Sequence, residues 1–132
     1  MPFLFVYGPL QRGHKKHYVL QKEFATFLGN AFALDYEIYD CLSLPVAVPS
    51  KGCAIQGEVY LLDNFALFRI DNTMGVNSGF FERKKATVMF ENGITTDADI
   101  YIFSLFDVSS VRKKFCRITD REKQQTSAVK AA

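Results

Sequence analysis

Tryptophan is absent from this chain and cysteine is scarce. The three cysteines, Cys41, Cys53 and Cys116, are an odd number at wide spacings with no C-x-x-C pair, which argues against a disulfide framework and against a thiolate metal site. They read as free thiols in a reducing compartment. No apolar run approaches the ~20 residues of a membrane-spanning helix. The apolar start MPFLFVYG is short, has no basic leader and runs straight into a strand-like pattern, unlike a signal peptide. The expected location is therefore intracellular, cytoplasmic by default, with organelle import without a visible cleavable presequence left open. No charge of one sign dominates: 16 Lys and Arg face 14 Asp and Glu, and a net +2 creates no global field calling for nucleic acid or a membrane surface. Internal repeats are missing too.

What is present is ordinary for one folded domain. The 132 residues are 48% hydrophobic and 23% charged, enough to bury a core and too ordered in composition for wholesale disorder. Thirteen Phe and six Tyr point to an aromatic-rich core, common where β-strands close on themselves.

FLFVYG (3–8) is a continuous apolar run ended by Gly-Pro, the pattern of a buried strand breaking into a tight loop. HKKHYVLQKEFATFLG places Tyr18, Val19, Leu20, Phe24, Phe27 and Leu28 near helical spacing and stops at Gly29, which predicts a helix. NAFALDYEIYDC alternates loosely as a strand. LSLPVAVPSKG, with two prolines, predicts an irregular edge segment and turn. CAIQGEVYLL reads as a second core strand, and NFALFRIDNTMG as a short helix with Phe65, Leu67, Phe68 and Ile70 on its apolar side. FFERKKATVMF and TTDADIYIFSLF flank an Asn-Gly turn and predict a hairpin. The expected class is a mixed α/β (α+β) domain with a largely antiparallel, curled sheet over 1–108, followed by a basic C-terminal extension over 109–132 that ends in a frayed tail.

Four of these segments carry a resemblance. FLFVYGPLQRGHKKHYVL resembles the opening Y-G-x-L-x-x-G signature of the gamma-glutamylcyclotransferase-like superfamily, of the avirulence-induced and gamma-glutamylamine cyclotransferase type. GCAIQGEVYLLD is similar to its V-x-G-E-V-Y strand, LFRIDNTMGVNSGFFERKKATV to its L-D-x-x-E-G and Y-x-R segment, and ADIYIF to its closing A-x-x-Y strand. The resemblance implies a small curved β-barrel with flanking helices and a pocket at its mouth. It also implies that active members take a gamma-glutamyl compound there and release 5-oxoproline. In that pattern the Y-G-x-L loop, here Tyr7, Gly8, Pro9 and Leu10, supplies substrate-holding N–H groups, and the Glu of D-x-x-E-G transfers the proton.

That carboxylate matters because the substrate amine must lose a proton before attacking its own γ-carbonyl, and the leaving amine must gain one. One group serving both steps is worth ~10²–10⁴ in rate. Aligning Asp71 and Gly75 with the motif puts Met74 in its place, and a thioether is useless for proton transfer. Pro9 stands where the family usually has Thr or Ser, so one N–H is missing and the loop is stiffer; a lost donor to an anionic substrate costs ~1.5–3 kcal/mol. The expected function is a catalytically inactive cyclotransferase-like domain serving as a structural or interaction subunit. The alternative is an active gamma-glutamyl(amine) cyclotransferase with a relocated carboxylate, Glu82 being the candidate. Strand alternation puts Glu82 opposite Phe81 and Arg83, as a solvated residue would be. Asp71 reads as a helix-end acceptor and Glu58 as a structural partner.

No cofactor or metal is expected, since His14 and His17 have no third ligand at convincing spacing. The run SVRKKFCRITDREK holds six Lys/Arg in fourteen residues. Within it and just before it, Phe106, Val111, Arg112, Lys113, Lys114, Phe115, Arg117 and Ile118 are the candidate partner-binding residues, for a protein subunit of a complex or for RNA. A small gamma-glutamyl substrate belongs to the alternative alone.

Overall fold

The computed structural model describes residues 1–118. Five strands close into a mixed barrel: β1 (Phe3–Val6), β2 (Thr26–Cys41), β3 (Leu44–Leu61), β4 (Phe81–Phe90) and β5 (Thr95–Phe103). Their order is β3-β1-β5-β4-β2, and β2 pairs back onto β3 to complete the ring. β1 and β5 run parallel; the other barrel pairings are antiparallel. Three short helices flank it: α1 (Tyr18–Gln21), α2 (Asn64–Thr73) and α3 (Val108–Lys114). A short β6 (Cys116–Ile118) adds to β2 opposite Ile38, Tyr39 and Asp40.

β1 is apolar on every residue because both of its faces are covered. Phe5 belongs to the cluster that also holds Ala33, Ile38, Val59, Val88 and Ile100. Leu4 and Val6 belong to a second cluster, where Val19, Leu20, Leu67, Ile70 and Val111 bring the helices onto the sheet. β5 splits the same way, with Ile100 and Ile102 in one cluster and Tyr101 and Phe103 in the other.

The expected strands and the Asn92-Gly93 hairpin are present, with Gly93 left-handed at φ 87°. Four expectations change. The helix predicted through Gly29 is a single turn: Phe24 takes a left-handed φ of 56°, Phe24 N–H donates to Gln21 and Ala25 N–H to Leu20, and the chain enters β2 at Thr26. This is a Schellman stop with Phe where Gly is usual. The proline-bearing segment is an edge, as expected, but a regular one: after the turn at Leu42–Ser43 it is the first part of β3. Around Pro45 and Pro49 that strand pairs with β2 alone, so missing N–H groups are tolerated, and β2 bulges where Asp35 turns left-handed. α2 buries Ala66, Leu67, Ile70 and Asp71, whereas Phe65 and Phe68 face solvent. Finally, the boundary expected at 108/109 falls inside α3, which Asp107 caps through Ser110 N–H and Val111 anchors in the core. Residues 119–132, and with them most of the expected tail, lie outside the described residues.

Candidate functional site

Beyond Val6 the chain passes from β1 through Tyr7 into a 3₁₀ turn, Gly8–Leu10. Gly8 has φ +63°, and a Cβ there would lie 3.2 Å from the Pro45 ring, so the turn depends on glycine for both conformation and space. Pro9 is the second residue of the turn, where a backbone N–H has no partner within the turn and its loss costs the turn nothing. The returning chain is held by Lys16 N–H to the Pro9 carbonyl (2.9 Å) and by His17 Nδ1, 2.9 Å from the Leu10 carbonyl. Beside this loop opens a pocket of about 110 Å³. Its walls are Phe5, Val6, Tyr7, Pro9 and Leu10 from the first strand and turn, Leu44 and Pro45 from β3, Thr73 and Met74 from the end of α2, Phe81 from β4, Tyr101 from β5, and Lys16.

Met74 reaches the pocket because it caps α2, its N–H bonded to the Ile70 carbonyl at 2.8 Å, and because Gly75 then turns left-handed. Tyr7 is a structural pin. Its hydroxyl donates to the Tyr101 carbonyl (2.7 Å) and accepts from Ala47 N–H (3.0 Å), joining β1, β5 and β3. Burial holds the phenol protonated far above its usual range, only partly offset by the Ala47 contact.

None of the described residues that line the pocket carries a carboxylate. Asp71, buried on α2, accepts from Arg83 Nε (2.8 and 3.1 Å) and from the Tyr101 hydroxyl (2.6 Å). Arg83 also meets Asp99 at 3.4 Å, with Lys85 on the other Asp99 oxygen at 3.3 Å. Tyr101 therefore stands between the pocket and this charge cluster as a neutral donor, its pKa raised by burial and by its bond to Asp71. Glu58 accepts from Arg12 N–H (2.9 Å), Arg12 Nε (3.3 Å) and Tyr60 (2.9 Å). Arg12 in turn lies 3.6 Å above the Phe27 ring, so Glu58 secures the loop after the turn. Glu82 is half exposed on β4, 3.7 Å from Lys84 and outside the pocket lining. Among the described residues no three His, Cys, Asp or Glu side chains gather as a metal ion would require, and no helix is long and apolar enough to cross a membrane.

If Asp71 is a structural acceptor, Asp71→Asn should cost about 2 kcal/mol, since the amide keeps the shape but leaves Arg83 without its closest counter-charge. Urea unfolding monitored by circular dichroism measures this. An unchanged midpoint would remove the structural role.

A family model described as "Gamma-glutamyl cyclotransferase, AIG2-like" matches residues 4–121. The chain belongs to this family. Two relatives carry the name "putative gamma-glutamylcyclotransferase": one from Methanocaldococcus jannaschii is 31% identical over 104 residues, 78% of this chain and 85% of that protein. The other, from Drosophila melanogaster, is 29% identical over 119 residues, 84% of this chain and 75% of that one. The crystal structure of a mouse AIG2-like protein superposes with a TM-score of 0.72 at 23% identity, covering 83% of this chain and 81% of that one, which supports the fold.

Within this cyclotransferase fold, Tyr7, Pro9, Leu10 and Met74 meet at one pocket, with Gly8 in the same turn. Lys16, Phe81, Leu44 and Tyr101 join them without having been expected there. Lys16 was legible only as part of a basic helix start, because the chain reversal that brings it to Pro9 has no sequence signature. The candidate partner residues divide. Val111 is fully enclosed in the chain's own core, correcting its place as a surface anchor, and Ile118 pairs with Ile38. Arg112 and Arg117 are engaged by Glu37 at 3.5 and 2.7 Å. Phe106 remains part-exposed, its ring 5.8 Å from Phe103 and 6.3 Å from Phe115, with Lys114 Nζ 5.7 Å above it; Lys113 is exposed.

Proposed function

We propose that this cyclotransferase-fold domain does not catalyse 5-oxoproline release and serves instead as a structural or interaction subunit of a larger assembly. The observation that carries the proposal is a pocket lined mostly by hydrocarbon, with Met74, two phenols, Thr73 and Lys16 and, among the described residues, no carboxylate: Asp71 and Glu58 are engaged by arginines and Glu82 lies outside the lining. Cyclisation needs a group that takes a proton from the amine and returns one to the leaving group. Neither Met74 nor a phenol held protonated by burial supplies it. The part-exposed Phe106, with Phe115 and Lys114 around it, offers an aromatic and cationic contact for a protein partner, or for RNA as the lesser candidate.

Purified protein incubated with gamma-glutamyl amines and gamma-glutamyl peptides should release no 5-oxoproline above the uncatalysed rate. In cell extract the chain should migrate with a larger species, and Phe106→Ser with Lys114→Glu should shift it toward the monomer. Robust turnover by the unmodified protein would overturn the non-catalytic reading, and its loss in Glu82→Gln would identify the relocated base. Migration of the unmodified chain as a free monomer would overturn the subunit role.

A further inference from the structure

The same pocket has a composition that selects a ligand. Its hydrocarbon comes from Leu10, Leu44, Phe81 and Met74, and among the described residues one that is charged, Lys16, lines it. Among the described residues Lys16 has no ion-pair partner, whereas Arg12, Arg69, Arg83, Arg112 and Arg117 each have one. Its backbone is held beside the turn by the Lys16 N–H bond to the Pro9 carbonyl. A lysine at the rim of an apolar pocket lays its methylenes along the wall and keeps its ammonium at the water boundary, available to an anion. Among the described residues no carboxylate lines the pocket to balance a second positive charge.

We propose that this pocket binds a small monocarboxylate with a hydrocarbon body, its carboxylate on Lys16 and its body against Leu44, Met74 and Phe81. The proposal rests on the non-catalytic reading, because the change that removes proton transfer also removes the counter-charge for a substrate ammonium. A gamma-glutamyl group carries an α-ammonium, which here would meet Lys16 and hydrocarbon; a simple carboxylic acid anion carries no such group. Size sets the body. A dry apolar cavity of ~150 Å³ accepts benzene, so about 110 Å³ suits a chain of roughly four to six carbons. The ligand class thus follows from one unpaired cation, an apolar wall and a small volume, and differs from the zwitterions that the fold's catalytic members take.

Titration calorimetry on the full chain with hexanoate, hexylamine and hexan-1-ol tests this. Hexanoate should bind with a Kd on the order of 1 mM, as its few heavy atoms permit. Hexylamine should bind at least about tenfold more weakly, and Lys16→Met should cut hexanoate affinity about tenfold while leaving hexan-1-ol unchanged. Lys16 is exposed, so the variant's melting temperature should match the parent and exclude a folding defect. Equal binding of hexanoate and hexylamine, no effect of Lys16→Met on hexanoate, or no saturable hexanoate binding would each overturn the proposal. The outcome is separable from the catalytic question: release of 5-oxoproline sinks the non-catalytic reading whatever hexanoate does, and failure of hexanoate binding without turnover sinks only the ligand.

Discussion

Gly57→Ala is expected to destabilise the domain by about 4 kcal/mol or more, above the usual range for one added methyl, because the obstacle is backbone. Gly57 lies on β3 beside the pairing of Val6 with Glu58. A Cβ at this position would overlap the Val6 carbonyl oxygen and stand 2.5 Å from the Phe5 ring. The ring could rotate aside; the carbonyl is fixed in the pairing between two barrel strands. Unlike the other glycines of the chain, Gly57 has no left-handed backbone, so the substitution tests space alone. The midpoint of thermal unfolding should fall by roughly 10–20 °C. Phe5→Ala in the same chain should fail to restore it and add the loss of a fully buried ring. A midpoint within a few degrees of the parent would show that β1 crosses β3 less closely than described. The consequence reaches the pocket, since β1 runs directly into Tyr7, Pro9 and Leu10, and its spacing from β3 sets their distance from Leu44 and Pro45.

The strands were legible where local pattern and long-range pairing agree. FLFV, GEVY, KKATVMF and IYIF are apolar or alternating runs bounded by Gly, Pro or Asn-Gly, and each is a barrel strand. Legibility failed where two patterns fitted one segment. Leu20, Phe24 and Phe27 have helical spacing, but Thr26 and Phe27 can also pair with Leu61 and Tyr60, and the pairing prevails after one helical turn. Pro45 and Pro49 suggested an irregular edge because sequence does not show that only one side of β3 needs its N–H groups there. Phe65 and Phe68 looked like the buried side of α2 because hydrophobicity alone gives no direction. That face is taken by the smaller Ala66 and Leu67, and by Asp71, whose carboxylate is neutralised by Arg83 twelve residues away. The turn residues of the pocket and Met74 could be named in advance through the family motif. Lys16 could not, since its place depends on a loop closed by one backbone bond.

Raising the pH should unfold this domain through its buried phenols. Tyr7 and Tyr101 have an ordinary pKa of 10.0, raised in the folded state by burial above all; Asp71 adds to the effect at Tyr101, and Ala47 N–H partly offsets it at Tyr7. Below pH 10 folded and unfolded chains both keep these protons, and the stability is intact. Above it the unfolded chain releases them while the folded chain holds them, so the unfolded state binds fewer protons and stability falls as pH rises toward the folded values. Each group contributes a slope of ~1.4 kcal/mol per pH unit, about 2.7 for the two. A domain with a typical lower-end stability of ~5 kcal/mol would exhaust it about two units above pH 10. Tyr60, raised by burial and by its bond to Glu58, acts in the same direction and brings the transition earlier. Circular dichroism and phenolate absorbance, recorded together, should show a cooperative step in which the phenolates of Tyr7 and Tyr101 appear as the barrel is lost. Tyr101→Phe should lower the slope of stability against pH by about one phenol's share, ~1.4 kcal/mol per unit. If Tyr7 and Tyr101 titrate near their ordinary value of 10.0 with the dichroism unchanged, water reaches them, and these phenols could then exchange protons with a ligand. If the cooperative step appears, both pocket tyrosines are held as neutral donors within the barrel, and neither serves the pocket as a base.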